Sequence, residues 1–311
     1  LCGKGFSENK GMTKKQLLKA MLLIGGLMEN KKEVIGVIGA GVIGTGVAQR
    51  YAVHGYEVVL LDISEKALQD GVYAIKRNLK IHNMLNKDKY NILEVMDRIK
   101  VTLNYQDIKD ADFLIENVVE DMEVKKQVYT ELNQVVKKNC YLMVNSSCIS
   151  ITRIGSFTDF SDRIIGVHYM NPVPEQDFAE VIKGTHTSEN TCKLIKELLL
   201  SVGIDSTMIN DSTGYVTNRV SHIFMNEAMN LVLEGVAKPE QVDKIFVKCF
   251  HHTMGPLATA DLIGLDTVMY SLKVLYDEYQ DPRFRCSPLL KRMVDAGTLG
   301  RKSGKGFYDY E

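Results

Sequence analysis

Two groups of residues in this chain have the types and spacing to do chemistry. One is Gly39, Gly41 and Gly44 in the pattern G-x-G-x-x-G, with Asp62 lying 18 residues beyond the last glycine. The other is His168, followed by Glu180 12 residues later. In the first group, Gly39 allows a tight turn, Gly41 lets the backbone approach a pyrophosphate, and Gly44 lets a helix pack close to a sheet. The N–H groups at the start of that helix, Val42 and Ile43 among them, then face phosphate charge. A carboxylate at Asp62 can bond both hydroxyls of an adenine ribose and repels the extra phosphate of NADP, so the expected cofactor is NAD. Oxidising an alcohol with NAD needs a base for the hydroxyl proton, and histidine titrates near neutrality. A carboxylate on the second ring nitrogen fixes the tautomer and stabilises the imidazolium.

These groups need elements to position them. A glycine triplet is weak on its own, but here an apolar, β-branched run, Val34–Ile38, precedes it and a helical pattern through Val47, Ala48, Tyr51 and Ala52 follows. Glu57–Leu61 is a second strand that ends at Asp62. Helical periodicity over 65–86 and 93–99, short strands at 99–103 and 113–115, a helix from 122 to 136 and a strand at 141–144 continue the alternation. The last of these delivers Asn145-Ser146-Ser147 to a loop. Ile164–His168 is one more strand and Ala179–Lys183 the expected last one, so that His168 and Glu180 meet across the sheet edge. Such alternation predicts an α/β class: a Rossmann-type, doubly wound, mostly parallel sheet with ligands at the strand C-terminal ends. Helical patterns dominate after residue 187, and beyond Gly214 three apolar-periodic helices (220–232, 240–250, 267–279) predict an all-α C-terminal domain. The expected domains are 28–212 for NAD and 213–311 for substrate and dimerisation. A bundle this small leaves apolar surface that a homodimer would cover.

Composition narrows the function. The 311 residues carry a net charge of −1, which gives no global field toward nucleic acid or membrane, and no apolar run has the length to cross a bilayer. Six cysteines without a C-x-x-C pair fit reduced thiols in a cytoplasm, with neither a disulfide frame nor a metal site. His251-His252 reads as surface and packing. Residues 1–27 read as an extension: Ile24-Gly25-Gly26-Leu27-Met28 can be encoded by a purine-rich ribosome-binding site, a spacer and AUG. The expectation is initiation at Met28, with a short docking helix as the alternative.

The sequence resembles the 3-hydroxyacyl-CoA dehydrogenase family, especially its short 3-hydroxybutyryl-CoA members, from about Lys31 to Tyr310. The resemblance rests on the glycine loop, Asn145-Ser146-Ser147, His168–Pro172, Glu180, Thr213–Arg219 and Gly300–Tyr308. It implies that His168 is the base, Glu180 its partner, and Ser147 and Asn218 the groups on the reacting oxygen and the thioester carbonyl. It also implies that Asn145, Ser147 and Asn171 sit beside the nicotinamide, with Glu120, Lys125 and Lys302 at further cofactor positions. Read without it, Asn218 is a helix cap and Lys302 a solvated tail charge.

Several positions depart from the family pattern. Asn78 and Leu85 fall where the family offers polar and basic groups to the CoA phosphates, with Lys80 or Lys87 as substitutes. Glu175 and Asp177 precede Glu180 near the expected acyl pocket, and Ser146 and Cys148 flank Ser147. The expected activity is therefore NAD-dependent oxidation of a short 3-hydroxyacyl-CoA, or the reverse reduction. The alternative is a hydroxyacyl group carried on an acyl carrier protein, and a third reading is a non-catalytic structural protein on the same fold.

Overall fold

The computed structural model describes residues 33–310, so the extension 1–27 lies outside the described residues. Eight strands form one sheet in the order β3-β2-β1-β4-β5-β6-β7-β8. They are β1 (Val34–Ile38), β2 (Glu57–Leu61), β3 (Ile99–Thr102), β4 (Phe113–Glu116), β5 (Tyr141–Val144), β6 (Ile164–Tyr169), β7 (Phe178–Lys183) and β8 (Asp205–Asn210). β1 and β4 stand side by side at the centre, where the chain order reverses and two crossovers leave in opposite directions. That switch point opens a crevice at the strand C-terminal ends, directly above the glycine loop.

Helices cover both faces. α1 (Val42–Val53), α2 (Glu65–Leu85) and α3 (Ile92–Asp97) lie in the first half, α4 (Met122–Val135) and α5 (Ile151–Gly155) in the second, and α6 (Glu189–Ser201) precedes β8. One apolar layer joins Val37, Val47, Tyr51, Ile115 and Val167, and the other joins Ile38, Leu114, Tyr129, Leu142 and Ile164. Strands buried on both faces explain why their sequences are continuous apolar runs.

Two strand expectations need correction. Ala179–Lys183 is not the last strand, because β8 pairs with β7 in parallel. β8 escaped notice because Asp205-Ser206-Thr207-Met208-Ile209-Asn210 is an edge strand that is mostly exposed; its backbone pairing, and no apolar alternation, holds it. The His168 and Glu180 strands therefore meet one strand inside the sheet. They also run antiparallel, unlike the other pairs.

Beyond Gly214 come α7 (Thr217–Leu233), α8 (Pro239–Cys249), α9 (Pro256–Ile263), α10 (Leu265–Tyr279) and α11 (Pro288–Asp295). α9 and α11, both opened by proline at the first helical position, were not distinguished in the sequence. Met225, Met229, Leu257, Val268 and Leu272 form the core of this bundle. His252 lies in the turn after α8, packed against the rings of Phe224 and Phe246.

Candidate active site

The glycine loop is built for a ligand. Gly39 has φ +94°, and a Cβ there would stand 2.7 Å from the Asn117 carbonyl oxygen. At Gly44 a Cβ would overlap the Gly39 carbonyl oxygen, so protein packing alone demands glycine at both positions. Gly41 differs: nothing lies within 4 Å of its would-be Cβ. It caps α1 without a side-chain bond, and Val42 beside it is 75% exposed. The first-turn N–H groups of α1 have no intrahelical partner to give to and so face open space. Asp62, at the end of β2, accepts from the Ala40 N–H at 2.7 Å through Oδ2 and from the Ser64 N–H at 2.9 Å through Oδ1. It thus braces the loop while its remaining lone pairs stay available to ribose hydroxyls. These residues fit a dinucleotide.

His168 and Glu180 are a direct register pair, and antiparallel partners put their side chains on the same face. His168 Nδ1 is 3.0 Å from Glu180 Oε2. The other carboxylate oxygen accepts the Val216 and Thr217 N–H groups at 3.2 and 3.0 Å, at the start of α7. Burial by itself would raise this carboxyl, but the bonds from His168 and Thr217 outweigh it and hold the group below the usual carboxylate range. An ionised Glu180 makes Nδ1 the protonated nitrogen and leaves the Nε2 lone pair free. Ser147 Oγ stands 3.4 Å from that Nε2.

The Ser147 loop is held from two sides. Glu120 Oε1 accepts from Ser146 Oγ at 2.6 Å and from the Ser147 and Cys148 N–H groups, both at 2.8 Å. Asn218, in the first turn of α7, donates to the Ser147 carbonyl at 3.0 Å. It is therefore not a cap: Val216 occupies that position without a side-chain bond. Burial pushes the Cys148 thiol up to about 11, so beside Ser147 it is an inert packing group. Asn145 bonds Asn117 Oδ1 at 3.0 Å and accepts from the Tyr169 N–H at 3.3 Å, which ties the ends of β4, β5 and β6 together.

The remaining expected site residues have these surroundings. The Lys125 ammonium is fully buried; it bonds both Glu116 oxygens at 2.8 Å and the Asn145 carbonyl at 3.2 Å. All three of its protons face these oxygens, so it braces the site from beneath. Glu116 is the partner that the sequence reading missed; a carboxylate ending the fully buried strand Phe113-Leu114-Ile115-Glu116 was the signal that a buried cation must exist. Lys302 pairs with Asp266 in the first turn of α10, and one turn along, the Tyr270 hydroxyl reaches the Glu120 carbonyl at 3.2 Å. Asn171 lies on the exposed turn after β6, where the Asn171–Pro172 peptide is cis.

A cleft of about 610 Å³ opens beside that turn, between α1, α2 and the loop after Tyr169, lined by Gln49, Arg50, Asn78, Leu85, Pro172 and Glu175 among others. Leu85 and Glu175 share this one cleft with Asn78. Lys80 and Lys87 are exposed outside its lining. Among the described residues no group of His, Cys, Asp and Glu has the arrangement to hold a metal.

A Rossmann sheet with an open glycine cradle, joined to a helical domain across a buried His–Glu pair, defines a nicotinamide-dependent dehydrogenase. The family models agree: "3-hydroxyacyl-CoA dehydrogenase, NAD binding domain" matches residues 34–212, and the C-terminal domain of the same family matches 214–310. The chain belongs to the 3-hydroxyacyl-CoA dehydrogenase family, and its cofactor is NAD. It is 41% identical over 278 residues to a probable 3-hydroxybutyryl-CoA dehydrogenase of Deinococcus radiodurans, covering 88% of this chain and 99% of the relative. It is 39% identical over 279 residues to 3-hydroxybutyryl-CoA dehydrogenase of Clostridioides difficile, covering 89% and 99%. The crystal structure of (S)-3-hydroxybutyryl-CoA dehydrogenase from Ralstonia eutropha superimposes with a TM-score of 0.86 at 37% identity, covering 90% of this chain and all of that one.

Proposed function

We propose that the chain interconverts a short 3-hydroxyacyl thioester and its 3-keto form with NAD. The observation that carries this is the convergence of Ser147 Oγ and His168 Nε2 on one point, with Glu180 behind the ring. His168 Nε2 takes the proton of the substrate hydroxyl, and the Glu180 carboxylate stabilises the imidazolium so formed. Ser147 orients the same oxygen. Asn218 donates one amide N–H to the Ser147 carbonyl and also contacts Cys148 Sγ at 3.7 Å, a weak sulfur contact that the thioester carbonyl displaces in this reading. Bound NAD supplies the two-electron acceptor for the hydride that leaves the carbinol carbon. The N–H groups of Gly41, Val42, Ile43 and Gly44 hold its pyrophosphate and Asp62 its ribose, with Asn145, Ser147 and Asn171 beside the nicotinamide. Glu120 and Lys302 act in this reading by fixing the Ser147 loop and the start of α10.

The names of the Deinococcus, Clostridioides and Ralstonia relatives support a CoA ester as substrate. Two readings accompany this one: a cytoplasmic location, supported by five free cysteines among the described residues, and a homodimer through the helical half. Exposed Val220, Val236, Phe250 and Leu262 on that half support the dimer. Among the described residues no helix is long and apolar enough to cross a membrane.

The test is NADH formation from 3-hydroxybutyryl-CoA, with NADP in parallel and light scattering for mass. Absence of turnover on every 3-hydroxyacyl thioester tried would overturn the reading. Equal rates with NADP would remove Asp62 from the ribose site.

A further inference from the structure

The corner where the chain leaves the sheet for the helical half holds a strained tyrosine. After β8 the chain turns through Ser212-Thr213-Gly214-Tyr215, closed by the Tyr215 N–H on the Ser212 carbonyl at 2.9 Å. Gly214 has φ +79°, with Leu275 2.5 Å from its would-be Cβ. Tyr215 follows at φ +51°, in the left-handed region although it is a bulky aromatic residue. A conformation of this kind persists where the surroundings over-determine it, and it clusters at functional sites.

The surroundings of Tyr215 are those of the reaction. It is 3% exposed and joins Ile151, Ile154 and Ile182 in the second apolar layer of the sheet, not the core of the helical bundle. Its ring meets the His168 imidazole edge to face, with centroids 5.8 Å apart and planes at 61°. Its hydroxyl donates to the Ile149 carbonyl at 2.8 Å. Ile149 closes the turn that carries Ser147, because its N–H goes to Ser146 Oγ at 2.9 Å. Burial raises the phenol well above its ordinary pKa, so the hydroxyl remains a neutral donor. One side chain therefore has its ring on the base and its hydroxyl on the serine turn.

We propose that Tyr215 is a positioning residue that sets Ser147 Oγ against His168 Nε2. This rests on the thioester reading above, in which both groups meet the substrate oxygen, and names what spaces them. Ser147 Oγ and His168 Nε2 stand 3.4 Å apart, too far for either to fix the other firmly. Tyr215 spans the gap from the side: the ring backs the imidazole while the hydroxyl holds the far end of the serine turn. A misplacement of about 1 Å between reacting groups is enough to lower a rate by about a hundredfold.

The experiment is a mutant cycle with 3-hydroxybutyryl-CoA and NAD. Tyr215→Phe keeps the ring and frees the Ile149 carbonyl. It should lower kcat per folded enzyme by at least about fivefold, the scale of one neutral hydrogen bond. KM for the thioester and NADH affinity should each change by less than about twofold, which separates positioning from binding. In a Ser147→Ala background the same change should lower kcat by less than about twofold, because the group it positions is gone. Tyr215→Leu takes the ring from His168 and should lower kcat in both backgrounds. Unchanged kcat in either Tyr215 variant, or equal losses for Tyr215→Phe with and without Ser147, would overturn the proposal. A lowered urea midpoint with kcat of the folded enzyme intact would make the hydroxyl a stability device, and a loss of NADH affinity would make it a cofactor group; each overturns it as well. Should the leucine variant not fold, the phenylalanine cycle decides alone. A wild type that turns over no 3-hydroxyacyl thioester would instead sink the thioester reading itself.

Discussion

His168 and Glu180 face each other across the antiparallel β6–β7 pair, with Nδ1 3.0 Å from Oε2, and the same carboxylate reaches two N–H groups at the start of α7. One residue therefore joins the orientation of the imidazole to the seating of the helical domain. The positive end of the α7 dipole adds to the bonds that keep Glu180 ionised. Asn218, one residue beyond Thr217, ties the same helix to the Ser147 carbonyl. Base, carboxylate and serine loop are thus fixed to a single helix start.

Removing the base should lower turnover and leave the cofactor site alone. His168→Ala is expected to reduce kcat by at least about a hundredfold, the common share of general-base catalysis, with NADH affinity by fluorescence titration nearly unchanged. Glu180→Gln should also lower kcat, because an amide keeps a hydrogen bond to the ring but cannot stabilise the imidazolium. A His168→Ala enzyme with near-normal turnover would rule out the assignment.

The two glycines of the loop should respond differently to alanine. A Cβ at Gly41 meets no protein atom within 4 Å, and φ −70° is ordinary for any residue. Gly41→Ala should therefore change stability by no more than about 1 kcal/mol, the scale of a cap substitution, while weakening NADH binding at least about tenfold. Gly44→Ala drives its Cβ into the Gly39 carbonyl and should lower the urea midpoint itself. Equal effects on stability at both sites would mean that no ligand sets the requirement at Gly41.

What could be read from the chain and what could not divides along physical lines. The run from Val34 to Asp62 is local: a strand, three glycines, a helix and an acid carry their own geometry. His168 and Glu180 were readable because each sits beside the turn between neighbouring strands. The destinations of Lys125 and Asn218 were not, since one depends on a carboxylate buried at the end of β4 and the other on a carbonyl 71 residues away. β8 was illegible for a third reason: its backbone hydrogen bonds hold it, and they leave no side-chain pattern.

Lys125 offers a direct test of whether it braces the core or binds the cofactor. Burial pulls the Glu116 carboxyl upward and the Lys125 ammonium pulls against it, so removing the cation strands a carboxylate in the core. Lys125→Met should destabilise the fold by about 3–5 kcal/mol in urea unfolding, and adding Glu116→Gln should recover part of the loss. A cofactor ligand would behave otherwise: NADH affinity would collapse with the urea midpoint unmoved.

His222 makes stability depend on pH. Its Nδ1 lies 2.8 Å from the Asn218 carbonyl, one turn back on α7, so that nitrogen carries the proton. Its Nε2 is buried with no hydrogen-bond partner among the described residues. Burial, with a smaller push from nearby His168, holds the imidazole below its ordinary pKa. The unfolded chain, titrating near about 6.5, then takes up a proton before the folded chain does. The stability contributed by neutral His222 is complete above that pH and is lost as pH falls through the lower folded value. The wild-type urea midpoint should therefore fall between pH 7 and pH 5, roughly the range below the unfolded value. His222→Leu should fall less over the same interval. Leucine forfeits the bond to the Asn218 carbonyl at every pH, about 1 kcal/mol, so the comparison is between slopes and not absolute midpoints. Parallel slopes for the two proteins would remove His222 from the acid sensitivity of the fold.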